Sequence, residues 1–198
     1  EPIDVPAALD ELERRGVIHR KTVLSGDEYR FGESLTQEVA YEGLLLKERR
    51  QLHERIGHML EEEASDNDPE LPALLAHHYA RSDNREKAVE ALLRAAQRAE
   101  QLPSYNTAVR CYRQAWDLAS EALDESESTD PQAARRAVAA AVGLCRMGMV
   151  YSIPDGGAAE RAAHRGRELA GALGDVQDVA ALWTYQGMLV VNGGRERF

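Results

Sequence analysis

The chain has 198 residues, 43% of them hydrophobic and 29% charged, with a formal net charge of −10. This balance fits one large globular domain or two small ones, and the negative excess disfavours long-range attraction to nucleic-acid phosphate. No apolar run approaches the roughly 20 residues of a bilayer-spanning helix, which points to a cytoplasmic protein with no membrane segment.

In chain order, Glu1-Pro2-Ile3-Asp4 is acidic, does not begin with Met and lacks the apolar stretch of a secretory signal. Residues 6–15 place Leu9 and Leu12 on one helical face and stop at Gly16, a suitable C-cap. Two short alternating runs follow, 17–23 and 29–31, with Ser25-Gly26-Asp27-Glu28 between them as a hairpin turn. A helix leading into a hairpin is the back half of a winged helix. From Ser34 the pattern is helical almost throughout: Leu35, Val39, Leu45 and Leu46 mark one helix, and Leu52, Ile56, Met59 and Leu60 the next. Further helices are expected at about 70–81, 85–101, 105–122, 132–151, 157–173 and 176–192. Acid clusters, from Glu61 to Glu70 and from Glu121 to Asp130, sit beside Pro69 and Pro131 and read as solvated linkers. The last residues, Gly193-Gly194-Arg195-Glu196-Arg197-Phe198, stop just after a turn signal, so both ends are read as cuts in a longer gene product.

Small residues recur where paired helices would cross, with large ones beside them. Leu75, Ala76 and Tyr79 are followed by Ala88, Leu92 and Ala95; then Leu92, Ala95, Ala96 and Ala99 by Ala108, Tyr112 and Ala115. Only small side chains let helix backbones approach closely, and this arrangement is that of tetratricopeptide (TPR) helix pairs. The helix at about 85–101 serves both registers, as in a continuous solenoid. Ala159, Ala163 and Gly166, then Trp183, Gly187 and Val190, continue the pattern more loosely. The expected fold is all-α: a TPR-like α-solenoid over 65–198, truncated mid-repeat, preceded over 1–64 by a partial winged helix with one short β-hairpin and linking helices.

The stretch YRFGESLTQEVAYEGLL at 29–45, followed by RRQLHERI at 49–56 and LAHHYARSDNREKAVEALLRAAQRA at 75–99, resembles a known junction. It is similar to the segment joining ATPase module to TPR array in bacterial STAND-type ATPases, which include adenylate/guanylate cyclases and large LuxR-type transcriptional regulators. The likeness covers about residues 1–120. It implies a winged helix packed on a nucleotide module and a TPR-like array that receives an inducer or partner. Such proteins often carry a phosphate-touching histidine two residues after the phenylalanine. Glu33 stands there in this chain, and a carboxylate repels phosphate.

Residue spacing gives no catalytic or metal-binding pattern. No GxxxxGK[ST] phosphate loop occurs. His53 and His58 are separated by about 140° around a helix and cannot easily share a metal, and the adjacent His77 and His78 diverge similarly. Glu61, Glu62 and Glu63 read as a solvated helix end, and Trp116 and Trp183 as core. Cys111 and Cys145 are too few for a disulfide framework and read as reduced, half-buried thiols. In the first helix Arg14 and Arg15 are opposed by Asp10, Glu11 and Glu13, which leaves Arg20, Lys21 and Arg30 of the hairpin as thin support for direct DNA binding.

These readings lead to a non-catalytic interaction or regulatory module of a larger signalling protein, with no cofactor and no metal. Its partner is a protein or a neighbouring domain of the parent chain; the alternative is a small-molecule inducer. The first helix of each pair would line the partner groove through His77, Arg81, Arg94, Gln97, Gln101, Tyr185 and Asn192. These lack the repeated Lys/Asn pattern of a TPR carboxylate clamp.

Overall fold

The chain as described by the computed structural model comprises residues 4–23, 26–63, 68–125, 130–150 and 156–193. Asp4 starts α1 (Val5–Arg14), its carboxylate accepting from the Ala7 N–H at 3.3 Å. Gly16 ends it at φ +72°, with Gly16 N–H bonded to Glu13 C=O and Val17 N–H to Leu12 C=O. Those two bonds satisfy the last carbonyls of the helix in the manner that a left-handed glycine permits.

Strands β1 (Ile18–Val23) and β2 (Gly26–Phe31) pair antiparallel from Ile18↔Phe31 to Val23↔Gly26. The expected turn at Ser25–Glu28 is corrected by this register. Gly26, Asp27 and Glu28 belong to the strand, where Thr22 donates to Asp27 across the ladder at 2.8 Å, and Ser25 lies outside the described residues. Arg20 ties the hairpin to α1 through Asp10 and Glu13.

The helix expected through Leu45 and Leu46 is instead two. α2 (Ser34–Glu42) closes at Gly43, and α3 (Leu46–Glu63) opens with Glu48 accepting from the Leu45 N–H at 3.1 Å. That capping bond satisfies an amide that a continuous helix would have turned inward. Leu35, Val39, Leu45 and Leu46 are all exposed.

The remaining helices are α4 (Leu71–Tyr79), α5 (Arg85–Gln101), α6 (Tyr105–Glu125), α7 (Pro131–Val150), α8 (Gly156–Leu173) and α9 (Val176–Gly193). Each from α4 onward packs on the next, and α5 with α7 and α7 with α9 also touch. Side-chain caps set several starts: Asn84 for α5, Asp130 for α7 and Asp175 for α9. One hydrophobic core runs through these helices, and the small residues read from the sequence lie in it. Ala88, Ala95, Ala108, Ala115, Ala159 and Ala163 are buried, as is Gly166, where an added methyl would lie 2.8 Å from Ala141 Cβ.

Two sequence expectations fail at the edges of this core. Trp116 is buried, but Trp183 is 59% exposed, with the Arg167 guanidinium 3.8 Å over its ring. Around Gly187 an added Cβ would meet nothing within 4 Å, so no helix crosses there among the described residues. The side chain of Val190 lies outside them.

The acid clusters are also partly helical: Glu61–Glu63 ends α3 and Glu121–Glu125 ends α6. Glu61 is no solvated linker residue, because Lys87 donates to it at 3.0 Å and Tyr79 at 2.9 Å. The chain forms two compact units, Glu1–Arg49 and Arg50–Phe198. The division falls inside α3, ahead of the expected boundary after residue 64; past Arg50, α3 meets α4 at Gly57, beside the Tyr79 ring, and through the His53–His78 and Tyr79–Glu61 hydrogen bonds.

Candidate functional site: a cationic groove over the fourth to sixth helices

A groove of about 680 Å³ opens over α4, α5 and α6. Its floor is set by small side chains, Ala76 from α4 and Ala95 and Ala99 from α5, which are buried at the helix contacts. Small floor residues leave the space, and long side chains from the rims reach over it. Those rims carry His77 on α4, Arg81 in the turn that follows it, Arg98 on α5 and Arg110 on α6, with Ser104, Thr107 and Gln114 as uncharged polar groups. Among the described residues no aspartate or glutamate lines the groove, although the chain as a whole carries −10.

These arginines differ from others of the same unit. Arg136 meets Glu86 and Glu90, Arg146 meets Glu100, and Arg85 meets Glu125, at 2.5–2.7 Å. A smaller hollow of about 230 Å³ on the same unit, which Arg85 and Arg136 line, thus has both cations neutralised. By contrast, Arg81, Arg98 and Arg110 form no ion pair among the described residues. Arg81 donates to the His77 carbonyl at 2.9 Å and Arg98 to Gln101 at 3.0 Å, and both bonds leave the positive charge uncompensated.

Behind one rim stands a histidine cluster. His53 from α3 meets His78 with Nδ1 atoms 3.0 Å apart, one ring donating and the other accepting. His77 lies 5.0 Å from His78 and 6.0 Å from His53, centroid to centroid. The spacing argument that separates His77 from His78 does not foresee this meeting, because the third ring arrives from another helix. Burial, and then Arg81, lower the pKa of all three, with neighbouring rings adding to the effect at His53 and His78, the latter brought to about 4. The His53–His78 hydrogen bond requires one of the two Nδ1 atoms to be unprotonated. Nearby, burial and the Glu61 carboxylate raise the Tyr79 hydroxyl pKa. Burial pushes the Glu61 carboxyl up, but the bonds from Lys87 and Tyr79 outweigh it and leave it below its usual range. No group of three or more His, Cys, Asp or Glu that could hold a metal ion occurs among the described residues.

Of the residues singled out from the sequence, His77 and Arg81 line the groove. Arg94, Gln97 and Gln101 are exposed on α5, at spacings of three and four that put them on the face opposite Leu92 and Ala99 and away from the groove lining. Tyr185 is half-buried against the core on α9. The side chain of Asn192, in the last turn of α9, lies outside the described residues. Arg98 and Arg110 were missed. A usable signal exists: neither they nor Arg81 have an Asp or Glu three or four residues away in either direction, so no partner on their own helix can neutralise them. Cys111 and Cys145 are free thiols, buried rather than half-buried, and burial pushes Cys145 up to about 12.

Comparison of the chain with protein-family models, with curated proteins and with solved structures finds no match. No described helix is long and apolar enough to cross a membrane.

Proposed function

We propose that this chain is a non-catalytic interaction module, a TPR-like helical stack belonging to a larger signalling or regulatory protein of the STAND type. It holds a protein partner or a neighbouring domain in the groove over α4–α6. The observation that carries the reading is the groove itself: an open hollow whose floor is made by buried alanines at helix contacts and whose rims present uncommitted polar side chains. The buried alanines at the expected crossings and the α5–α7 and α7–α9 contacts support the repeat reading. A scaffold of this kind serves contact more readily than bond-making.

A second reading, a small-molecule sensor, draws on the volume, since about 680 Å³ lies within the range of ligand pockets. Thermal melts against panels of nucleotides and metabolites separate the two. The module reading expects no stabilisation by these compounds at millimolar concentration, together with saturable binding of extended peptides that Ala73→Trp, at an exposed lining position, abolishes. A metabolite that raises Tm with its concentration, as binding to the native state demands, overturns it in favour of the sensor.

A further inference from the structure

We propose that the partner held in this groove is an acidic peptide segment in extended conformation, its carboxylates seated on Arg81, Arg98 and Arg110. The inference rests on the interaction-module reading and names the chemistry of the partner. Three guanidinium groups, from the turn after α4, from α5 and from α6, line a groove with no carboxylate among its described lining residues. The same unit neutralises Arg85, Arg136 and Arg146 with acids from neighbouring helices. A chain of net charge −10 has acids to spare, so their absence here leaves a concentrated positive field for an incoming anion. Guanidinium groups suit carboxylates because their paired N–H donors match the two oxygens. The first turn of α6, which supplies Thr107, adds the positive end of its helix dipole from the same side.

Geometry favours a peptide over a compact anion. Packed helices lie about 8–10 Å apart, and an extended chain advances about 3.3 Å per residue. Crossing from α4 to α6 thus takes about six residues, and an acid at every second or third position meets each guanidinium in turn. Intervening side chains face Ala95, Ala99 and Leu102, which accept apolar groups. A nucleic acid fits less well, for among the described residues no Phe, Tyr or Trp lines the groove to stack on a base. At one end Pro69 is flanked by Asp68 and Glu70, a negative stop for an acidic ligand.

The test selects from a random octapeptide display library on the full chain, with the triple variant R81Q/R98Q/R110Q as counter-selection. Enriched peptides are then titrated by fluorescence anisotropy. The expected result is enrichment of Asp and Glu at alternate or every third position. Kd should weaken about tenfold for each single Arg→Gln change and weaken further as salt rises. The change R161Q, at an exposed position on α8 that does not line the groove, should leave Kd unchanged. Unaltered circular-dichroism melts show that these exposed or half-buried arginines act on binding and not on folding.

Enriched peptides that are neutral or basic, bound equally by the triple variant, would remove the acidic partner while leaving the module intact. No enriched peptide at all would remove both. Competition with equal potency by inorganic phosphate, citrate or a single-stranded oligonucleotide would replace the peptide with a small anion or nucleic acid and overturn the proposal.

Discussion

At Gly143 an added methyl would stand 2.3 Å from the Tyr112 ring, and at Gly57 2.7 Å from the Tyr79 ring. Neither ring can step aside. Tyr79 and Tyr112 are almost wholly buried, and their hydroxyls are held, the first by Glu61 and the second by Arg146 at 3.2 Å. Gly143→Ala and Gly57→Ala should therefore each cost about 1–3 kcal/mol, the penalty for overpacking a close-packed interior, read from urea denaturation midpoints.

The histidine cluster makes a second prediction at this scale. A histidine whose folded pKa is depressed binds fewer protons in the native state than in the unfolded one. Stability is then full above the ordinary value of 6.5 and is lost as pH falls towards about 4, the folded value for His78. Urea midpoints measured across that window should fall with acidity, and His78→Gln should flatten the slope. A slope of equal steepness in the variant would show that the carboxylates, Glu61 among them, account for it instead.

At the scale of helices, the same substitution should have opposite signs according to what crosses the position. Gly187 has open space where a Cβ would go, so Gly187→Ala gains helix propensity without a clash and stabilises by about 0.4–1 kcal/mol. Ala108→Leu and Ala163→Leu put bulk where the side chain is fully buried, and should destabilise by about 1–3 kcal/mol. Calorimetric melts of the three variants check the contrast. Helices α4 to α9 were legible because their apolar spacing is a local signal, and the N-caps at Asn84, Asp130 and Asp175 agree with it. The interruption at Gly43–Leu45 was not, since Leu35, Val39, Leu45 and Leu46 keep an apolar rhythm that runs across a break made by a single capping bond from Glu48. Trp183 was misread for a related reason: its apolar rhythm says that a face can pack, but not that anything covers it.

Over the whole molecule burial is uneven. Ile18 is the one buried hydrophobic side chain of the described residues in Glu1–Arg49, while the core of Arg50–Phe198 extends from Leu75 to Leu182. Local stability follows buried apolar contact, so amides of β1 and β2 should exchange with deuterium well before those of α5, α6 and α7 under native conditions. Mass-spectrometric exchange should show the two units losing protection at different denaturant concentrations. Equal protection in both would mean that they unfold as one.

Residue order alone determined the helical succession, the short hairpin and the small residues on which the helices approach. Each depends on period, capping chemistry or side-chain volume within a few neighbours. Which faces meet was decided by the packed chain. An amphipathic helix states that it will be covered, but crossing positions between helices are set by how all the side chains interlock. So His53 comes to rest on His78 across 25 positions of sequence, and Arg81, Arg98 and Arg110 gather around one groove that no local pattern draws.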